Sequence, residues 1–247
     1  MIERLGAYRE YAAPADLRDV VDVTWIYARP GSAHRVLPEG GVSLCFQSRR
    51  DAMGRVSDPR VTIIGPIRAP RVTAPDPDLH LEAVRLKPEW CRELLRANPA
   101  EHLNAVDALA APRLLDRLAK TTTSQQALAI LLDEIRARRV AHSSLAHQAL
   151  EMLRTTAARV HEVAQALRVS ERHLRRVVLD ATSWTPKHLQ RVLRMNRAVA
   201  AADREAAPSW AGVAADCGYF DQPHLIADFR ALTGRSPVEI HAERRAE

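Results

Sequence analysis

Two stretches of the sequence, about fifty residues apart, share one layout: a helix, a tight turn and a second helix. The helix pairs are residues 160–167 with 171–178, and residues 210–217 with 222–229. Each first helix has a small residue, Ala164 or Ala214, where two helices must approach closely. Each second helix has a leucine, Leu174 or Leu225, at its fourth position. The repeated pattern predicts two helix-turn-helix motifs in tandem.

The second helix of the first motif has an apolar face and a cationic face. Ser170 is a favourable N-cap, and helical periodicity places Leu174 and Val178 opposite three arginines. Such a helix fits a major groove, where arginine binds guanine bidentately or contacts phosphate. The alternative is a basic face that is only solvated. The predicted DNA contacts of this motif are Ser170, Arg172, His173, Arg175 and Arg176.

The second helix of the second motif is less basic. Its apolar stripe turns Ile226, Ala227 and Arg230 toward the groove, and only the arginine is cationic. Gln222 has an alternative role as an N-terminal cap residue. The predicted DNA contacts of this motif are Gln222, Pro223, His224 and Arg230.

The charge distribution distinguishes the two motifs. Residues 159–197 contain nine cationic side chains against three acids, whereas residues 198–247 contain five against eight. We therefore expect the first motif to supply most of the affinity and specificity for DNA. Between the motifs, Thr185-Pro186 begins a spacer helix that runs to about Arg204. Its Arg191 and Arg194 are candidate phosphate contacts, with solvation or intramolecular pairing as the alternative.

The first ninety residues have the short alternating segments and turn residues of β-structure, for example at residues 20–28 and 42–47. Helical periodicity begins at Glu89, continues after Pro112, and is strongest from Ser124 to Arg139. We predict an α+β protein with a small β-barrel and helices in residues 1–140, followed by an all-α domain in residues 141–247. The junction is expected near residues 136–144, where charged and small polar residues replace the apolar stripe.

Composition narrows the class of protein. The chain has 247 residues, 47% of them hydrophobic, and a formal charge of +6, which favours an anionic partner. No apolar run approaches a membrane span, and no leader segment is evident, so we expect a cytoplasmic protein without a membrane partner. The three cysteines are far apart, which argues against a disulfide framework or a CxxC metal site.

The C-terminal part contains a set of motif residues: Val163-Ala164, Val169-Ser170, Leu174, Thr185-Pro186, residues 194–198, Val213-Ala214, Gly218-Tyr219, Asp221-Gln222, His224-Leu225, Phe229-Arg230 and Thr233-Gly-Arg-Ser-Pro-Val238. On these residues, positions 145–243 resemble the DNA-binding domain of the AraC/XylS family of bacterial transcriptional regulators. The resemblance implies a seven-helix, all-α domain that binds adjacent major grooves, often in an activator that contacts RNA polymerase. We also expect a homodimer. In this sequence Ser183 stands where the family usually has glycine, and Ala227 where it commonly has arginine.

The N-terminal part is similar, less specifically, to the β-rich sensor regions of some of these regulators. The similar pieces are Trp25, Leu37-Pro-Glu-Gly, Ile64-Gly-Pro and Arg85-Leu-Lys-Pro88. The resemblance implies a cupin-like barrel that binds a small-molecule effector, dimerises, or does both.

Other interpretations remain beside this one. A metal-dependent cupin enzyme would need clustered ligands, but His34 and His80 are isolated, so we predict no catalytic residue, metal site or cofactor. Cys45 or Cys91 could be a redox switch, although a buried structural thiol is the commoner state. The N-terminal domain could also serve only to pair subunits.

Overall fold

The structure is a computed structural model that describes residues 3–5, 7–28, 34–51, 53–74, 76–96, 98–139, 144–155 and 158–246. Within these residues strands occupy the first part of the chain and helices the last. The strands are β1 Glu3–Leu5, β2 Tyr8–Ala12, β3 Val21–Ala28, β4 His34–Val36, β5 Val42–Arg50, β6 Val56–Ile64, β7 Arg71–Thr73, β8 Leu79–Leu86 and β9 Val106–Ala108.

Seven strands form one antiparallel sheet, in the order β1-β2-β3-β8-β5-β6-β9, and β4 pairs with β7 in a second, two-stranded sheet. The register of the large sheet places Tyr8 opposite Tyr27 and Trp25 opposite Ala83. Because side chains alternate between faces, these residues share a face with Leu81 and Arg85. We call this the concave face. The other face is apolar as well, with Leu44 and Val84 fully buried.

Three helices cover that other face: α1 Cys91–Leu95, α2 Pro112–Leu118 and α3 Ser124–Arg138. Helix α3 begins with a capping box between Thr123 and Gln126 and buries Leu131 and Ile135 completely. The predicted apolar stripe of this helix is therefore confirmed.

The remaining described residues, 144–155 and 158–246, form seven helices around a second core. They are α4 Leu145–Thr155, α5 Val160–Ala166, α6 Glu171–Thr182, α7 Pro186–Ala202, α8 Trp210–Asp216, α9 Gln222–Thr233 and α10 Pro237–Ala246. The largest fully buried side chains of this core are Trp184 and Phe229. The two motifs are α5 with α6 and α8 with α9, and α7 is the predicted spacer.

The α+β class is confirmed, with a β-sheet domain before an all-α helix-turn-helix region. Strand β6 begins at Val56 with a polar, mostly exposed first half, and its buried apolar residues start only at Val61. The division at residue 140 stays a prediction. Residues 140–143 of the expected junction lie outside the described part.

Ser183, which stands where the resembled family usually has glycine, adopts the left-handed conformation, with φ of 64° at the C-cap of α6. Its hydroxyl is buried and has no hydrogen-bond partner among the described residues. We expect Ser183→Gly to raise the free energy of unfolding by about 0.5–1 kcal/mol, because glycine adopts this φ without steric cost. Chemical denaturation measures the change.

Ala181→Gly is the matched control, since Ala181 lies in the same helix before its C-cap. This substitution should lower stability by about 0.5–1 kcal/mol. Equal effects of the two substitutions would contradict the argument from backbone conformation.

Candidate nucleic-acid interface and adjoining cavity

Helix α6 presents its cationic side chains to solvent. Ser170 caps the helix, its hydroxyl accepting a bond of 3.2 Å from the His173 backbone amide. Leu174 and Val178 are fully buried on the inner side. The predicted contacts Arg172, Arg175 and Arg176 are all exposed, and His173 is half-buried. The structure therefore brings the predicted contact residues of the first motif together on one accessible surface, which we call the α6 face.

Two of the three arginines make local contacts within the helix. Arg175 forms a 2.9 Å ion pair with Glu171, and Arg176 lies 3.0 Å from Nδ1 of His173. Both pairs are exposed, so they cost little to break when DNA competes. Within the described residues no side-chain partner is found for the Arg172 guanidinium.

Helix α9 of the second motif is capped by Asp221, whose carboxylate accepts a 2.8 Å bond from the His224 backbone amide. The alternative cap role of Gln222 is therefore wrong, because the helix begins at Gln222 and the residue before it performs the capping. Gln222, Pro223, His224 and Arg230 are all exposed, as predicted. Ile226 is half-buried and packs against the core instead of facing outward fully.

Arg191 and Arg194 are engaged inside the domain. Arg191 Nε lies 2.8 Å from Oδ1 of Asp228, and Arg194 lies 3.7 Å from the other oxygen. The Arg194 guanidinium also stacks 4.8 Å from the ring centroid of Tyr219 and donates to the Gly218 carbonyl. These contacts join the spacer helix α7 to the second motif, so the intramolecular alternative describes both residues in this structure.

Asp228 is the residue that sequence reasoning missed. It is an acid on the otherwise apolar stripe of α9, between Leu225 and Phe229, and its side chain is only 7% exposed. Buried carboxylates are rare unless they are paired. An acid at a core position of a helix, with arginines elsewhere in the domain, could have predicted a buried ion pair.

The N-terminal domain contacts the C-terminal helices directly. Arg68 donates a 2.6 Å bond to the Ser183 carbonyl, next to the end of α6, and its guanidinium lies 5.5 Å from the Trp184 ring centroid. Arg35 pairs with Glu243 at 2.6 Å. Helix α6 therefore ends at a point that the N-terminal domain touches.

A cavity of about 530 Å³ lies between the concave face of the large sheet and helix α7. Tyr8, Trp25 and Tyr27 contribute aromatic surface on the sheet side, and Leu189 and Leu193 of α7 contribute aliphatic surface. This volume lies in the range of small-molecule sites. The segment Gly40-Gly41 passes tightly between the two walls, since a Cβ on Gly40 would lie 2.9 Å from Leu189.

The sheet side of the cavity holds a charged cluster around Arg85. The guanidinium lies 3.0 Å from Glu10 and 2.7 Å from Glu39, and the Tyr8 hydroxyl donates to Glu10. Burial raises the pKa of Glu39 to about 7, which the Arg85 charge only partly opposes. Burial likewise holds the pKa of Tyr8 well above its usual value.

The structure also bears on the alternative interpretations, a metal-dependent enzyme and a redox switch. Among the described residues, no group of three or more His, Cys, Asp or Glu side chains could hold a metal ion. The side chain of His34 lies outside the described part. Cys45 and Cys91 are fully buried, and burial raises the pKa of Cys45 far above its usual value, which favours the structural-thiol interpretation over a redox switch. The described helices include none that is long and apolar enough to span a membrane.

Comparison with protein families gives two matches. Residues 163–243 match the model of a helix-turn-helix domain, and residues 9–106 match a domain of unknown function. Comparison with curated proteins gives no match.

Several solved structures are similar to this chain. A transcriptional regulator with an AraC-type DNA-binding domain from Chromobacterium violaceum is 23% identical over 39% of this chain and 88% of its own, with a TM-score of 0.36. The C-terminal domain of AraT from Geobacillus stearothermophilus is 23% identical over 42% and 87%, with a TM-score of 0.38. ToxT from Vibrio cholerae aligns over 96% of this chain and 99% of its own at 9% identity, with a TM-score of 0.48.

Proposed function

We propose that the chain is a DNA-binding transcriptional regulator of the AraC type that reads two successive major grooves mainly through α6. The match of residues 163–243 to a helix-turn-helix domain supports this proposal. The observation that carries this proposal is the α6 face. Arg172, Arg175 and Arg176 lie exposed on a helix whose opposite side is buried in the core. Guanidinium groups in this position can reach guanine edges or phosphates.

The second motif has a smaller part in the proposal. Its exposed surface offers one cation, Arg230, and Ala227 leaves the middle of that surface without a long polar side chain. Gln222 and His224, at the start of α9, can reach bases or phosphates, as helix N-terminal residues do in this motif. We assign α9 to positioning the domain on DNA, with less contribution to sequence preference.

We assign Arg191 and Arg194 a structural role in place of the phosphate contact considered from the sequence. Their partner Asp228 lies on α9, so these arginines fix the spacer helix relative to the second motif. A contact with phosphate would have to compete with a carboxylate that is largely buried. We therefore place them among residues that orient the two motifs and not among the primary DNA contacts.

Selection of bound sequences from random duplex oligonucleotides tests the proposal directly. The expected product is a site with two segments one helical turn apart, in which the segment read by α6 is the more strongly specified. Uniform recovery of sequences, or stronger specification of the segment read by α9, would overturn the division of roles.

Gln222→Ala provides a finer test of that division. We expect this substitution to reduce affinity for the selected site by less than Arg172→Ala does, because Gln222 is one neutral side chain at the start of the less cationic helix. Fluorescence anisotropy titrations at one fixed salt concentration measure both variants. A larger loss for Gln222→Ala would contradict the proposal.

We further propose that the regulator responds to a small molecule bound in the cavity between the concave face and α7. Support comes from the volume of the cavity and from its walls, which belong to both parts of the chain. The alternative is an N-terminal domain that only pairs subunits, and a thermal-shift screen of small molecules separates the two. Dimerisation and contact with RNA polymerase stay predictions, which sedimentation and a transcription assay can test.

A further inference from the structure

We propose that Phe220, in the turn between α8 and α9, is an apolar base-reading residue that packs against the 5-methyl group of a thymine in the major groove. The proposal rests on the proposed function, because it names a base that the second motif recognises. It adds one sequence preference to a motif whose polar side chains are assigned mainly to positioning.

The turn of the second motif is one residue longer than the turn of the first. The left-handed residue of the first turn, Arg168, stands two positions before the N-cap of α6, whereas Gly218 stands three positions before the N-cap of α9. The backbone amides of Val169 and Tyr219 each donate to an alanine carbonyl of the preceding helix, at 3.0 and 2.9 Å, so these two residues are equivalent. Phe220 is therefore the extra residue.

The extra residue leaves its ring outside the core. Tyr219 packs into the core at the place where the first motif has Val169, whereas Phe220 is 93% exposed, the largest value among the exposed large hydrophobic side chains of the described residues. A hydrophobic residue just before an N-cap often packs against the fourth residue of the helix. Here that residue, Leu225, is already fully buried. The Phe220 ring can gain the free energy of burial only from a partner that covers it.

The backbone that carries this ring is held in place. The Phe220 amide donates a 3.3 Å bond to Nδ1 of His224, and the His224 ring meets the Tyr219 ring edge-on, with centroids 5.4 Å apart. The Asp221 carboxylate accepts from the His224 amide and caps the helix. An exposed ring on a fixed backbone is presented at a defined position, which lowers the entropy cost of a contact.

The position of Phe220 favours DNA as the partner. The exposed side chains that come next, Gln222, Pro223 and His224, are the proposed DNA contacts at the start of α9. In this class of motif the N-terminal residues of the second helix contact base edges in the major groove. The thymine methyl group is an apolar feature of that groove, and phenylalanine is one of the side chains that contact it.

Removing single methyl groups from the DNA tests the proposal on the full chain. In the site obtained by selection, each thymine of the segment read by α9 is replaced in turn by deoxyuridine, which lacks only the 5-methyl group. We expect one replacement to weaken wild-type binding about fourfold, the loss that corresponds to one buried methyl group. A segment without thymine, or one in which no replacement has an effect, would overturn the proposal.

Phe220→Ala identifies the residue that contacts the methyl group. The variant should bind the thymine site at least about fourfold more weakly than the wild type, and should no longer distinguish thymine from deoxyuridine at that position. Phe220→Leu, which stays apolar, should keep part of the discrimination. Met53→Ala removes another exposed apolar side chain, in the turn after β5, and as the matched control should keep all of it. Circular dichroism checks that the variants fold.

The salt dependence separates an apolar contact from a change in electrostatic attraction. Phe220→Ala removes no charge, so the slope of log affinity against log salt concentration should equal that of the wild type. A flatter slope would mean that the substitution disturbs phosphate contacts of α9, and would overturn the assignment of Phe220 to a methyl group.

Failure of this proposal and failure of the proposed function are distinguishable. If the chain selects a two-segment site and Phe220→Ala binds it as tightly as the wild type, only the role of Phe220 is contradicted, and a protein partner for the ring is indicated. If the chain shows no sequence preference at all, the proposed function is overturned and this proposal with it.

Discussion

Replacing Arg172 with alanine is expected to weaken binding to the selected DNA site by about 1–3 kcal/mol, roughly a 5- to 150-fold loss. The expected loss on random DNA is smaller, so the preference at one base position should relax. Arg172 is exposed on the α6 face, and no partner among the described residues must be released before it meets DNA. Arg175 must first leave its 2.9 Å pair with Glu171, so its substitution should have the smaller effect.

Arg204→Ala is the matched control for this prediction. It removes the same charge from the same domain, at an exposed position after the end of α7. The loss of general attraction to DNA should be similar in both variants, whereas the loss of sequence preference should occur only with Arg172→Ala. Equal losses on specific and random DNA from Arg172→Ala would mean that α6 contacts only the phosphate backbone.

Asp228→Ala should lower the stability of the helical region by about 2–3 kcal/mol, because it leaves Arg191 and Arg194 without their shared carboxylate. We place the effect below that of a fully buried pair, since the two arginine side chains are 29% and 24% exposed. Asp228→Asn keeps the volume and one acceptor, and should lose less. Urea denaturation followed by tryptophan fluorescence measures both variants.

Asp216→Asn serves as the control, because Asp216 is an exposed acid on α8 of the same motif. It should change stability by less than about 0.5 kcal/mol. If Asp228→Ala and Asp216→Asn behaved alike, the ion pairs seen around Asp228 would contribute little, and another explanation of the burial of this acid would be required.

The helices and their capping residues were largely predictable from sequence, because these signals are local. Ser170 and Thr185 cap the helices at which they were expected, and the apolar spacing of Leu174 and Val178 set the buried side. The left-handed conformation of Ser183 agrees with the glycine that the resembled family usually has at this place.

Features that depend on distant parts of the chain were not predictable in the same way. The pairing of Arg191 with Asp228 joins residues on two helices, and either partner alone suggests a surface charge. The cavity required β2, β3, β8 and α7 to meet, and no sequence pattern specifies that meeting. Arg85 and Glu39 form their ion pair only because the strand register and the close packing of the Gly40-Gly41 segment bring them together.

Helix α7 has seventeen residues and is about 25 Å long. One side of helix α7 is a wall of the cavity. Trp184, just before its start, joins this helix to the end of α6, and Arg191 and Arg194 in its middle join it to Asp228 of α9. A ligand that tilted helix α7 would change the position of α6 relative to α9 along the DNA. Ligand binding and the preferred spacing of the two DNA segments would then both depend on the tilt of this one helix.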